Sequence, residues 1–539
     1  MNPRRRQLVI GSAATAATAT FAAARSAIGA ASSGANAGAK AEVDVHIELH
    51  AEPGEVAVRR GAQTRVWRYR AKLLRGAATA LDTTMLAPVI RVDRGQRIRI
   101  DLINGLPEPT IIHWHGLHVP DDMDGHPRFA IAPGARYVYE FTVDNRAGTY
   151  WFHPHPHGRT GKQVYAGLAG LFIVGDTEEA AVELPRGAQD LPLVIQDRNF
   201  DADNQFVYLG RDAVESPRRR RGMMGGGMGR GMMGGGMGSM MAGMMGVLGD
   251  RILVNGSSQP GREVAPRAHR LRVLNASNTR TLKLAWSDRT PLTVIGSDGG
   301  LLAAPVERDY VMLAPAERVE LWVDFGRWQG SEVTLRSLDF SGGVGMGMGM
   351  MGGGGDLPDG AAFDVHRFEI GAGEAQTARP PPRLSTIAPP ETRRAINAGN
   401  PKVFELTMGM MVWGINGHSF EMLAANPLET VKLGTQEVWE FRNDGRGAMM
   451  GMVMPHAMHV HGLQFRVIAR TVSPRFADEY DSVKAGLVDS GWKDTVLVMP
   501  GERVRILLRF EDHAGLFLYH CHMLEHEDSG LMRNYRVEV

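Results

Sequence analysis

Val498-Met499-Pro500-Gly501-Glu502-Arg503-Val504 has two earlier counterparts in the chain, Ile131-Ala132-Pro133-Gly134-Ala135-Arg136-Tyr137-Val138 and Leu313-Ala314-Pro315-Ala316-Glu317-Arg318-Val319. The three prolines lie 182 and 185 residues apart. Each copy opens an alternating strand that ends in Phe or Val: Tyr139 to Val143, Glu320 to Phe325, Arg505 to Phe510. A second element precedes each copy, an alternating strand ending in Asn: Arg97 to Asn104, Arg270 to Asn275, Glu437 to Asn443. These asparagines are 171 and 168 residues apart. Two elements recurring in the same order at a similar period identify three homologous units. Short alternating strands with Gly, Pro and Asn between them, and little helical periodicity, make each unit all-β. With about seven or eight strands each, a β-sandwich is favoured over a propeller.

The units are placed at 44–178, 188–372 and 401–539, with 373–400 as a linker around the extended run Ala378-Arg379-Pro380-Pro381-Pro382-Arg383. Unit two carries Met-rich insertions at 222–246 and 345–352. A net charge of +1 on 539 residues, with 22% charged, gives nucleic acid nothing to bind. No apolar run reaches the roughly 18 residues of a membrane span. Arg4-Arg5-Arg6-Gln7-Leu8-Val9-Ile10, ahead of a weakly apolar Ala/Thr run, resembles a twin-arginine export signal, placed at 1–37. The expected location is therefore the periplasm, with the twin-arginine export machinery as a partner, and the expected state is a monomer. Cys521, the single cysteine, cannot form an intrachain disulfide, so its thiol needs another purpose.

That cysteine lies in His520-Cys521-His522-Met523-Leu524-Glu525-His526. A thiolate supported by imidazoles is the ligand set of an electron-transfer copper, although a lone cysteine is more often a small core residue. The histidines fall on the repeat unevenly. In unit one His113-Trp114-His115-Gly116 follows the Asn104 strand, and His153-Pro154-His155 begins twenty residues after Pro133. In unit three His456, His459 and His461 follow the Asn443 strand, and His520 comes twenty residues after Pro500. Unit two has Leu335 at the corresponding place. Residues i and i+2 of a strand share a face, so the four His-x-His pairs present eight imidazoles across one interface. Eight are too many for one metal and about right for three.

The sequence resembles the multicopper oxidases, and within them the bacterial three-domain copper-efflux type. The likeness rests on His113-Trp114-His115-Gly116, on Tyr150-Trp151-Phe152-His153-Pro154-His155-Pro156-His157-Gly158, on Met454-Pro455-His456-Ala457-Met458-His459-Val460-His461-Gly462 and on His520 through Asp528. It extends to Gly161-Lys162-Gln163 and to Gly491-Trp492-Lys493-Asp494. The resemblance implies three cupredoxin-like Greek-key sandwiches and four copper ions. By the same resemblance Cys521, His456 and His526 hold a type 1 copper, and His113 and His459 a type 2 copper. His115, His153, His155, His461, His520 and His522 are implied to hold a type 3 pair. Asp124 and Glu527 stand where the family places carboxylates beside the cluster. They are expected as proton donors, with loop capping or orientation of an imidazole as the alternative.

One position departs from the family pattern. Ten residues after the cysteine, where related oxidases carry an axial Met, this chain has Leu531, with Met532 one residue late. A strand neighbour points the other way, so Leu531 marks a non-ligating axial position and a three-coordinate site of raised potential is expected.

The methionines bear on substrate. Met223 to Met245 holds ten of them among glycines, including Met223, Met224, Met228, Met232 and Met233, and a second run holds Met346, Met348 and Met350. Such runs lack the periodicity of a core, whereas a thioether array suits soft Cu(I). Met454 and Met452 stand at the family's substrate-copper positions, with Met452 replacing an Asp, and join the expected Cu(I) set. Three functions follow as alternatives: a cuprous oxidase using O2, a laccase-like oxidase of small phenols or aromatic amines, and a copper-sequestering protein without turnover.

Overall fold

A computed structural model describes residues 42–76, 85–210, 245–258, 261–343, 357–409, 412–445 and 453–539, and in it the two repeated elements meet identically in all three units. The backbone N–H of Gly134 donates to Asn104 O at 2.7 Å, that of Ala316 to Asn275 O at 2.8 Å, and that of Gly501 to Asn443 O at 2.8 Å. The Asn carboxamide donates to the carbonyl of the residue two before the repeat proline: Ile131 at 3.0 Å, Leu313 at 2.8 Å, Val498 at 3.3 Å. Only a short amide both reaches these carbonyls and accepts from the following loop, as Asn104 does from Leu106 N and Asn275 from Ser277 N. The residue after each proline has a left-handed backbone, φ 77° at Gly134, 73° at Ala316 and 72° at Gly501. Two copies use glycine there, and Ala316 bears a cost of about 1 kcal/mol.

Strand pairing repeats as well. Arg97–Asn104 pairs antiparallel with Arg136–Thr142 and parallel with Val45–Val56. Ala268–Asn275 stands in the same way between Arg318–Asp324 and Asp190–Arg198, and Thr435–Arg442 between Glu502–Phe510 and Lys402–Gly409. A second sheet closes each sandwich. Its neighbouring strands are Ile112–His115 and Gly148–Pro154 in unit one, Leu282–Trp286 and Glu332–Ser337 in unit two, and His456–Val460 and Gly515–Cys521 in unit three. The histidine-bearing strands of units one and three are therefore equivalent, and unit two puts Leu282, Leu284 and Leu335 there, inside its own core. The all-β expectation holds. Described helices near the site are short, such as Thr160–Tyr165 and Leu524–Asp528, and no described helix is long and apolar enough to cross a membrane. The export segment 1–37 lies outside the described residues, as do Met223, Met224, Met228, Met232, Met233, Met346, Met348, Met350 and Met452.

Unit two also buries His366, whose ring nitrogens meet no hydrogen-bond partner and whose ring stands edge-on to Phe368 at 4.9 Å. Burial, assisted by the charge of Arg262, lowers its pKa from 6.5 to about 4. Below 6.5 the unfolded chain takes up a proton that the folded chain refuses. The contribution to stability is thus complete above that pH and is lost as pH falls toward about 4. One proton sets a slope of at most about 1.4 kcal/mol per pH unit. A His366→Leu variant is expected to flatten the acid side of the stability curve by up to that slope. Urea unfolding at several pH values between the two pKa values checks it, and an unchanged curve would clear His366.

Candidate metal centres

Two buried groups of metal-capable side chains stand out. In the first, Cys521 at the end of its strand faces His456 from the neighbouring one, and the short helix Leu524–Asp528 brings His526 back beside them. Cys521 Sγ lies 3.5 Å from His456 Nδ1 and 3.8 Å from His526 Nδ1. All three are buried, and burial pushes the Cys521 thiol up to about 12. A thiolate is therefore disfavoured there unless a cation accompanies it, so a soft metal ion fits this donor set. Leu531 packs in the same apolar cluster as Cys521, together with Met454, Met523 and Trp413. Met532, which pairs with His520 in the ladder, is not part of that cluster. The Trp413 ring lies 4.6 Å from that of His526 and 5.0 Å from that of His456.

The second group gathers all eight remaining ligand candidates at the interface of units one and three. His113 and His153 are cross-strand neighbours, as are His459 and His520. Across the interface, His113 Nε2 faces His459 Nε2 at 3.2 Å, His153 Nε2 faces His522 Nε2 at 3.2 Å, and His155 Nε2 faces His520 Nε2 at 3.3 Å. Three sets have nitrogens within 4.8 Å of one another: His113, His115 and His459; His115, His153 and His522; His155, His461 and His520. Burial drives His115, His153, His155, His459, His461 and His522 well below the usual imidazole pKa, and His520 to about 3. Buried lone pairs that face one another call for cations between them, which is what metal ions supply.

The far ring nitrogens show which end of each imidazole is available. His113 Nδ1 donates to Asp124 O at 2.7 Å, His459 Nδ1 to Asp494 O at 2.8 Å, His153 Nδ1 to Pro154 O at 3.0 Å and His520 Nδ1 to Cys521 O at 3.0 Å. His461 Nδ1 donates to the Asp124 carboxylate at 2.7 Å. Carbonyls and carboxylates only accept, so these rings turn a bare Nε2 to the cluster. His115 is reversed: its Nε2 faces Asp494 Oδ1 at 3.0 Å and its buried Nδ1 has no hydrogen-bond partner.

Of the expected proton donors, Asp124 bonds His461 as described, and Glu527 lies 3.5 Å from His155 Nε2 and 3.3 Å from His520 Nδ1. Burial, reinforced by Asp528, pushes the Glu527 carboxyl well above its ordinary range. Asp494, Arg318 and Glu525 also border the two groups, in roles that no metal-binding motif of the sequence marks. Glu525, just before His526, accepts from Tyr208 Oη at 3.0 Å and from Val247 N at 3.2 Å. These two residues flank the Met-rich insertion, and Met245 at its end packs against the Cys521 cluster. No pattern in the sequence joins residues so far apart.

Family models described as multicopper oxidase match residues 64–179 and 363–539. A laccase of Bacillus stratosphericus is 32% identical over 494 residues, covering 83% of this chain and 88% of that one. The chain belongs to the multicopper oxidase family. Among solved structures, the McoA multicopper oxidase of the hyperthermophile Aquifex aeolicus superposes with a TM-score of 0.71 at 32% identity, covering 92% of this chain and 96% of the other. A Campylobacter jejuni multicopper oxidase, described as a metallo-oxidase, gives 0.68 at 25% identity, with 92% and 91% covered. This multicopper oxidase is thus an oxidoreductase with copper cofactors, and its sandwiches are cupredoxin folds.

Proposed function

We propose that this multicopper oxidase oxidises Cu(I) to Cu(II) in four one-electron steps coupled to reduction of O2 to water, as a periplasmic enzyme of copper tolerance. It reaches that compartment through the twin-arginine machinery and works as a monomer. The observation that carries the reading is that Glu525, one residue from His526, accepts from both Tyr208 and Val247, which lie on either side of the Met-rich segment in the sequence. Thioethers prefer Cu(I), so the segment is suited to supply that substrate to the electron-accepting site. The Campylobacter jejuni relative, a metallo-oxidase by description, points the same way.

In this reading four coppers are bound. His456, Cys521 and His526 hold the type 1 ion, His113 and His459 the type 2 ion, and His115, His153, His155, His461, His520 and His522 the type 3 pair. Copper bound in these places supplies one-electron uptake at the first site and four-electron reduction of O2 at the others. Cys521 is covalently continuous with His520 and His522, so the backbone itself joins the two sites. Leu531 offers no donor, leaving the sulfur site three-coordinate and its potential high, a value read directly as the midpoint of a redox titration. Asp124 and Glu527 are the donors through which the protons consumed in water formation would pass. Met454 and Met452, two and four residues before His456 in the sequence, extend the thioether supply.

A laccase-like activity on small phenols is the second reading, favoured by the Bacillus stratosphericus laccase and by Val412, 49% exposed beside Trp413. A sequestering protein without turnover would have no use for eight converging imidazoles. O2 consumption with Cu(I) and with a phenol, before and after deleting 223–245, separates the three. Deletion is expected to raise KM for Cu(I) about tenfold or more, as loss of tethered sites does, and to leave phenol turnover unchanged. Unchanged Cu(I) kinetics would remove the metallo-oxidase reading, and no O2 consumption with either substrate would leave only sequestration.

A further inference from the structure

Unit two supplies none of the eight imidazoles, yet one of its side chains reaches their surroundings. Arg318 is the arginine of the repeat. Its counterparts Arg136 and Arg503 are exposed, whereas Arg318 is 1% exposed. Its guanidinium grips the Asp494 carboxylate with both arms, Nη1 to Oδ1 at 2.7 Å and Nη2 to Oδ2 at 2.5 Å. The remaining donors go to backbone carbonyls: Nε to Thr149 O at 3.0 Å, Nη1 to Ala316 O at 3.0 Å, Nη2 to Asp298 O at 2.9 Å. One guanidinium thereby ties unit one at Thr149 and unit three at Asp494 to unit two.

Asp494 in turn faces two ligand candidates. Its carboxylate lies 3.0 Å from His115 Nε2, and its backbone carbonyl accepts from His459 Nδ1 at 2.8 Å. Thr495 Oγ1 also donates to Asp494 Oδ1, at 2.9 Å. Both of its oxygens accept from the Arg318 fork, and Thr495 donates to the one that faces His115, the bidentate geometry of an arginine–carboxylate pair. An ionised carboxylate can only accept, so the proton of His115 must sit on Nε2. The lone pair is then on Nδ1, the buried nitrogen with no hydrogen-bond partner. Gly116 leaves the room: at φ 86°, a Cβ there would stand 2.4 Å from Asp494 Oδ2 and 3.0 Å from Arg318 Nη2.

We propose that Arg318 and Asp494 are a positioning pair through which the histidine-free middle unit fixes the reversed tautomer of His115 and so completes the interdomain copper cluster. The inference rests on the copper assignment above. A buried ion pair adds little net stability over an apolar replacement, so its place here is better explained by what it orients.

Asp494→Asn tests it with almost no change of shape. Arg318 donates to both carboxylate oxygens, so an amide loses one arm of the fork whichever way it turns, with its NH2 either at the Oδ2 place or at the Oδ1 place that faces His115. In the first orientation His115 Nε2 loses a charged acceptor and in the second it meets a donor, and both free its proton to move to Nδ1, against the cluster. The variant, loaded with Cu(I) and re-oxidised, is expected to keep the blue absorption of the Cys521 site. It should bind copper at the cluster about 10- to 100-fold more weakly, read as copper retained per chain after dialysis against graded chelator. Arg318→Lys, which keeps the charge and loses the fork, should fall between Asp494→Asn and wild type, and it carries the test alone if Asp494→Asn does not fold. Wild-type copper retention in the folded variants would overturn the proposal. So would loss of the blue band in step with the cluster copper, which marks a merely structural role. Wild-type protein holding no copper beyond the Cys521 site would instead overturn the copper assignment on which the pair rests.

Discussion

A Cys521→Ser variant is expected to fold, to lose its blue absorption entirely, to bind one copper fewer per chain, and to consume O2 with Cu(I) or phenol only at background rates. The effect is total because the residue does two things at once. Its sulfur faces His456 Nδ1 and His526 Nδ1, and its backbone joins His520 to His522. Serine preserves the backbone and nearly the volume, so the strand Gly515–Cys521 and the Leu531 carbonyl that accepts the residue-521 N–H at 3.0 Å are undisturbed. Placing a hydroxyl among Met454, Met523 and Leu531 costs about 1–3 kcal/mol. What goes is the soft donor, and a hard oxygen does not replace a thiolate for Cu(I) and Cu(II) alike. Copper quantification with visible spectroscopy checks the result. A blue band surviving in Cys521→Ser would place the chromophore elsewhere and dismantle the assignment of the sulfur site.

How far the sequence could be read depended on whether a residue's role is local or shared. The three sandwiches were legible because Asn104, Asn275 and Asn443 answer a backbone demand that recurs wherever this turn forms, and only that residue type meets it. The histidines and Cys521 were legible because few side chains bind metal and the repeat placed them on equivalent strands. Arg318 was not. In sequence it matches Arg136 and Arg503, and only the folded chain shows that unit two has turned it inward onto a carboxylate 176 residues away. Glu525 was hidden for a related reason, since its partners Tyr208 and Val247 are 317 and 278 residues distant. Leu531 and Met532 needed no structure to be distinguished as neighbours with opposite directions, but their surroundings did: one packs with Cys521 and the other lies outside that cluster.

Glu527→Gln is expected to lower kcat for O2 reduction by about 10²- to 10⁴-fold, the range in which a positioned proton donor acts, while leaving reduction of the blue band by substrate at its wild-type rate. The two steps separate because Glu527 is at the cluster and not at the sulfur site: its carboxyl lies 3.5 Å from His155 Nε2 and 3.3 Å from His520 Nδ1. Gln keeps the size and the polar contacts with both imidazoles, so it preserves the surroundings that Glu527 provides and removes only the capacity to give up a proton. Asp124 is a different case, since its carboxylate holds His461 Nδ1 at 2.7 Å and its backbone holds His113. Asp124→Ala should therefore lose cluster copper as well as turnover, as loss of an imidazole's orienting partner does. Rapid-mixing reduction of the blue band, set beside steady-state O2 consumption, reads the split for Glu527→Gln. Equal slowing of both steps, or no slowing of either, would reduce Glu527 to a polar neighbour of His155 and His520 and leave proton delivery to Asp124 alone.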